Sequence, residues 1–139
     1  MPDRCFLDTN IFVYSFDKPE ATKRIRSREL VRVALQGSGC ISWQVMQEFS
    51  NVAIKGFVAS FGHEALMEYL DAVLLPLCKL FPDRGIYLEA VGVQRETGFS
   101  WYDSLIVTAA LKLRCATLYT EDLQHGQVVR GLRIVDPFQ

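Results

Sequence analysis

The sequence predicts an α/β fold in which a parallel sheet of five short strands is covered by helices on both faces. Three observations predict it. Short apolar runs alternate with longer segments of helical spacing, the pattern of strand–helix–strand units joined by right-handed crossovers. Residues 101–114 are almost wholly apolar, and a helix apolar on every side is a buried one. The chain has 139 residues, half of them apolar, enough for one sizeable core and too few for two ordinary domains. One domain spanning residues 1–139 is expected.

In order, residues 4–7 (Arg-Cys-Phe-Leu) form a first strand that runs into Asp8-Thr9-Asn10, polar residues suited to a turn and a helix cap. From Pro19 to about Gln36 the spacing is helical and strongly basic, until Gly37-Ser38-Gly39 breaks it before a strand at Cys40-Ile41-Ser42. Residues 43–57 resume a helix, with Val45, Phe49, Val52 and Gly56 expected on one face. Another helix covers 62–75 after Phe61-Gly62, and Pro76 is expected to stop it. Leu77 to Phe81 follows as a third strand, then a helix over 84–97 closed by Gly98, and then the buried helix of 101–114. Ala116–Thr120 and Leu132–Val135 read as the last two strands, separated by a polar loop containing Gly126. There is no internal repeat, low-complexity tract or linker.

Composition excludes several function classes. No stretch approaches the roughly 20 apolar residues of a membrane span, and Met1-Pro2-Asp3-Arg4 leads directly into a strand, so a cytoplasmic location is expected. Cys5, Cys40, Cys78 and Cys115 are widely spaced inside apolar segments, as buried thiols would be. His63 and His125 stand alone, which leaves too few nitrogen and sulfur ligands for zinc. Any metal would be held by oxygen. The net charge of −1 supplies no general attraction to nucleic acid, so such a partner would require concentrated positive charge or a bound cation.

Ligands of open parallel sheets bind beyond the carboxyl ends of the strands, and acids dominate those ends here. Asp8 closes the first strand, Glu48 lies less than two turns into the helix after the second, Asp103 opens the buried helix, and Asp122 follows the fourth strand. Each has an ordinary alternative: Asp8 or Asn10 as a helix cap, Asp103 as the partner of Ser100 in a capping box, Asp122 as a turn residue. Glu48, between Val45 and Val52, sits at the edge of an apolar stripe, where a half-buried acid is unusual. Clustered in a partly dry cleft, such carboxylates repel by about 3 kcal/mol per pair at ~5 Å and an effective dielectric of ~20. No lysine or arginine is close by in sequence, so a hard divalent cation such as Mg²⁺ or Mn²⁺ is the economical counter-charge. Phosphodiester hydrolysis is the matching chemistry. Thr9, Asn10 and Thr120 carry groups that could orient the acids or water from behind, with turn and cap duty as their alternative.

Phe-Leu-Asp8-Thr-Asn-Ile, Gln44-Val-Met-Gln-Glu48-Phe, Trp-Tyr-Asp103-Ser-Leu-Ile-Val-Thr-Ala-Ala and Tyr-Thr-Glu-Asp122-Leu-Gln-His-Gly together resemble the PIN domain, in particular the PilT N-terminus type found in VapC-like toxins of bacterial toxin–antitoxin pairs. The closing Gly-Leu-Arg-Ile-Val-Asp-Pro-Phe is also similar. The resemblance implies a five-stranded sheet of order 3-2-1-4-5, Mg²⁺- or Mn²⁺-dependent endoribonuclease activity, a homodimer and a VapB-like antitoxin partner. Asp8, Glu48 and Asp103 fall on the family's most regular acids and Asp122 on its more variable fourth. The family often has a further acid where this chain has Gln124, which leaves open whether Asp122 or Glu121 meets the metal.

For an RNA substrate, Arg24, Arg28 and Arg32 repeat every four residues along one helix face and are the candidate phosphate contacts, beside Lys23 and Arg26. A solvated face or a docking surface for an acidic partner is the alternative. Tyr14, Phe16, Phe57 and Phe61 are candidates for base stacking, or for core and dimer packing. Two other function classes compete. In a phosphatase Asp8 would be the nucleophile, yet the haloacid-dehalogenase pattern wants an acid where Asn10 stands. In a non-catalytic binding module the fold would only lend its surface to a partner.

Overall fold

The structure is a computed structural model and describes residues 3–16 and 19–139. Strand β1 (Cys5–Leu7) carries Phe6 and Leu7, both wholly excluded from water. A strand apolar on both faces needs cover on both. Asp8 ends it and caps a short helix α1 (Thr9–Tyr14), where the sequence suggested only a cap. Helix α2 (Ala21–Val33) ends in a widened turn, Ala34–Ser38, in which Gly37 takes a φ of 129° that a side chain would resist. Strand β2 (Gly39–Ser42) is buried along its whole length and leads into α3 (Trp43–Lys55).

Helix α4 (Val58–Tyr69) begins earlier than the spacing predicts, but Gly62, at φ 85° and ψ 165°, breaks its helical path where Phe61-Gly62 suggested a start. Pro76 does not stop the chain there. The helical path continues through Leu70–Leu74 to a last turn, Leu75–Leu77, which holds the proline in its first positions; proline is tolerated at the start of a turn. Strand β3 (Cys78–Leu80), α5 (Arg84–Thr97, closed by Gly98), α6 (Trp101–Lys112) and β4 (Thr117–Tyr119) follow close to their expected positions. Residues Ser104 to Ala110 of α6 are buried without interruption, as its apolar sequence requires. On α3 the buried face is Val45, Phe49 and Ala53, an i, i+4, i+8 row, and Val52 is 39% exposed instead of joining it.

The chain closes with β5 (Val128–Val129) and β6 (Leu132–Val135), giving six strands in the order β3-β2-β1-β4-β6-β5. The first five positions reproduce the expected 3-2-1-4-5 arrangement, all parallel, with β6 as the fifth. The addition is β5, antiparallel on the edge. Its turn, Arg130-Gly131, has φ of 48° and 86°, the paired left-handed residues of a tight two-residue hairpin. Two residues are too few to show strand alternation. Helices α1 to α4 pack among themselves, as do α5 and α6, with α6 also against β2 and β4. Right-handed crossovers that run outward from β1 and then return to β4 place these two groups on opposite faces. Among the described residues no helix is long and apolar enough to cross a membrane. The four cysteines are free thiols, with Cys40, Cys78 and Cys115 buried and Cys5 partly so.

Gly39 is the tightest point of the β2 face. A Cβ there would lie 2.2 Å from the Ala34 Cβ and 2.7 Å from its Cα. The second atom is backbone, so no rotamer change relieves the clash, and Gly39→Ala is expected to cost about 3 kcal/mol of stability in urea denaturation.

Candidate active site

The strand order reverses between β1 and β4: the chain walks from β1 out to β3, then crosses to β4 on the other side of β1. The carboxyl ends of these two strands therefore part around a crevice. Asp8 and Thr120 follow them directly, and the ladder extends past their ends through Asp8 N–H to the Tyr119 carbonyl (3.0 Å) and Thr120 N–H to the Val135 carbonyl (3.0 Å). Helix α3 starts at this end of the sheet because it follows β2, and α6 starts there because it runs back toward β4. Their amino-terminal dipole ends thus face the acids.

Asp8 is 6% exposed and its carboxylate is held on both oxygens. Oδ1 accepts from Thr9 N–H (2.7 Å) and Oδ2 from the Thr120 hydroxyl (2.8 Å). Its capping role is thus real and compatible with a second one. Burial pushes its pKa up to about 7; the bonds from Thr120 and Thr9 oppose this, and the charges of Asp122 and Glu48 add to it. Glu48, half-buried on α3, accepts the Thr9 hydroxyl at 3.1 Å. Its pKa is raised chiefly by burial and further by Asp103 and Asp122. Asp122 stands exposed at the lip, its backbone N–H donating to the Thr120 hydroxyl oxygen (3.1 Å), and its pKa is raised by desolvation, then Asp103 and Glu121. Asp103 lies in the first turn of α6, where its backbone N–H donates to Ser100 Oγ (3.1 Å), so the capping contact also forms.

The four predicted acids are thus close enough to repel one another through space. Among the described residues, however, no group of three or more His, Cys, Asp or Glu side chains is arranged to hold a metal ion. The rim is open.

Thr120 joins the two sides of the crevice, donating to Asp8 and accepting from Asp122. Thr9 links Asp8 to Glu48, donating its backbone N–H to the first and its hydroxyl to the second. Asn10, partly exposed on α1, has no such bond to an acid among those described. Thr120→Val, which keeps the shape and removes the hydroxyl that favours the Asp8 carboxylate, is expected to raise the Asp8 pKa further, as read by NMR titration of its carboxyl.

Gln44 is a residue the sequence reading passed over. It is 5% exposed, donates through Nε2 to the Tyr102 carbonyl (3.1 Å), and stands near enough to Glu48 to oppose the rise of its pKa. It ties the second acidic segment to the third. Its Oε1, Ser42 Oγ and Ser104 Oγ are buried without a partner at these same element ends. Its one sequence signal is its position four residues before Glu48, one helical turn away.

Glu121 is occupied elsewhere. Tyr14 Oη donates to its Oε1 and Lys23 Nζ lies 3.0 Å from its Oε2. Lysine 23, remote from the acids in sequence, is delivered by the fold to the residue beside Asp122. The arginine stripe lies along α2, which rises about 1.5 Å per residue from Ala21 to Val33. Arg28 donates to the Ser15 carbonyl (2.8 Å) and Arg32 is exposed. Phe16, Phe57 and Tyr69 pack in an aromatic cluster with Phe49, so Phe16 and Phe57 serve packing.

Comparison with known proteins agrees with this geometry. No curated protein matches the chain by sequence. Among solved structures, FitAcB from Neisseria gonorrhoeae is similar, with a TM-score of 0.64 at 19% identity over 96% of this chain and 98% of that one. At that identity the likeness is one of fold. The PIN domain model matches residues 5–130, which include all four acids and every strand up to the last hairpin. The chain belongs to the PIN-domain family, whose members are generally nucleases.

Proposed function

We propose that the protein is a Mg²⁺- or Mn²⁺-dependent endoribonuclease and the toxin of a VapBC-type toxin–antitoxin pair. The observation that carries the reading is the convergence of Asp8, Glu48, Asp103 and Asp122 on the β1–β4 crevice, with Asp8 driven up to about 7 by burial and by its neighbours' charges. Carboxylates so placed call for a cation. The donor set fits a hard one: all four side chains offer oxygen, and the partnerless polar atoms of Ser42, Gln44 and Ser104 add to the polar character of the rim. Its openness suits Mg²⁺, which keeps several waters and takes one or two carboxylates plus substrate phosphate oxygens. Asp8 and Asp103 would be the principal ligands, with Glu48 and Asp122 completing the site. When bound, the ion supplies Lewis-acid stabilisation of developing phosphate charge and lowers the pKa of water. The chain's own part is orientation: Thr120 and Thr9 hold Asp8 and Glu48, and Gln44 ties α3 to α6.

RNA phosphates would be met by Arg24, Arg28 and Arg32 from the α2 side, giving a salt-dependent affinity. Two partners complete the reading. A VapB-like antitoxin would bring a basic side chain into the acidic rim in competition with metal. A second copy of the chain would cover the exposed apolar residues that adjoin Trp43, namely Leu75, Phe81 and Tyr87. The cytoplasm is the proposed site of action.

The test is cleavage of a labelled mixed RNA pool by purified protein with Mg²⁺ or Mn²⁺ and with EDTA. Cuts that require the ion and disappear in Asp103→Asn are expected. Intact RNA throughout, from folded protein that binds no Mn²⁺ in titration, would sink the proposal.

A further inference from the structure

Beside the acidic rim lies a second, differently built cluster. Glu121 receives the Tyr14 hydroxyl on one oxygen and the Lys23 ammonium on the other, the latter at 3.0 Å. The ammonium also lies 4.7 Å from the centre of the Tyr14 ring and 5.4 Å from that of Phe138, and the two rings meet edge to face at 86°. Lys23 is thus fenced by one carboxylate and two aromatic faces, an arrangement that fixes a side chain otherwise rich in rotamers. Phe138 is itself held. Its N–H donates to Asp136 Oδ1 (2.9 Å), Arg26 Nε donates to the Pro137 carbonyl (3.2 Å), and the Asp136 N–H donates to His125 Nδ1 (3.0 Å).

The location gives the cluster its significance. Glu121 is the residue between Thr120, which bonds Asp8, and Asp122, which stands on the lip. Both oxygens of Glu121 are engaged by Tyr14 and Lys23, and the backbone on either side of it is pinned. We propose that Lys23 and Tyr14 are positioning residues of the metal site: by holding Glu121 they keep it out of the ligand set and present Asp122 to Asp103 and Glu48. This rests on the metal-dependent reading above. It also answers which of the two adjacent acids meets the ion, assigning that role to Asp122.

The experiment is Mn²⁺ titration by calorimetry, without RNA, on folded full-length wild type, Lys23→Met, Lys23→Arg and Tyr14→Phe, each also combined with Asp122→Asn. Lys23→Met is expected to weaken binding about 10- to 100-fold, Lys23→Arg to restore most of it, and Tyr14→Phe, which removes only the hydroxyl, to weaken it less. In the Asp122→Asn background these losses should vanish, because the clamp acts through Asp122; a merely structural defect would persist there. Wild type that binds Mn²⁺ while Lys23→Met and Tyr14→Phe bind equally well overturns the clamp and leaves the metal reading standing. So do losses that are unchanged in the Asp122→Asn background. Wild type that binds no Mn²⁺ overturns both.

Discussion

Asp8→Asn is expected to reduce metal-dependent RNA cleavage by about 10³-fold and, in the same protein freed of metal, to raise the melting temperature at pH 8. On the proposed metal-dependent reading, the first effect follows from removing a charged ligand, since a few kcal/mol of lost transition-state stabilisation corresponds to a thousandfold in rate. The second follows from the buried carboxylate. Its pKa in the folded protein, about 7, lies above the ordinary value of 3.8, so between those limits the native state holds a proton that the unfolded chain releases. Stability of the metal-free wild type therefore falls as pH rises from about 4 to about 7, by on the order of 4 kcal/mol, and the loss is complete above the folded pKa. Glu48 and Asp122, also raised, shift the same way. The neutral amide of Asn has no such dependence. Thermal unfolding of both proteins at pH 5.5 and 8, with EDTA and with Mn²⁺, checks the sign. The substitution should stabilise most at pH 8 with EDTA, and Mn²⁺ should narrow or reverse the difference. A wild type more stable at pH 8 than at 5.5 without metal would contradict the account.

Phe49→Ala is expected to cost about 3–5 kcal/mol of stability. Phe49 is 2% exposed, stacks on Tyr69 with ring centres 5.1 Å apart, and lies 6.0 Å from Phe16. It also lines a cavity of about 110 Å³ between α3 and α4, shared with Phe57, Phe61 and Leu66. Truncation would enlarge a space that already exists, and the rigid rings around it cannot collapse inward, which places the cost near the upper end of the range. Urea denaturation should show the midpoint moving with little change in slope. A loss below about 1 kcal/mol would mean that α4 closes over the gap.

The strands and the acids were legible because both are written in local pattern, whereas the order of the strands came from the resemblance to the PIN domain. Strands at the centre of a covered sheet are continuous apolar runs, and the acids follow them at positions that the topology then gathers. What escaped was whatever depends on residues meeting across the fold. The sequence finds no base near the acids, yet Lys23 reaches Glu121 over 98 positions and Tyr14 reaches it over 107. Gln44 shows its purpose only when α6 is packed beside it. Elements shorter than one period of their own pattern, such as β5, carry no signal to read.

The hydrogen bond from Thr120 to Asp8 joins residues 112 apart, and that separation orders events in time. Asp8, Glu48 and Asp103 precede that threonine in the chain, so the fourth central strand and the brace of the first acid are made after all three. A growing chain that has not yet released residues 117–122 has no crevice, only scattered carboxylates without their brace. If the finished protein cleaves RNA, closure of its topology by residues 117–122 keeps a growing chain inert until those residues have joined the sheet.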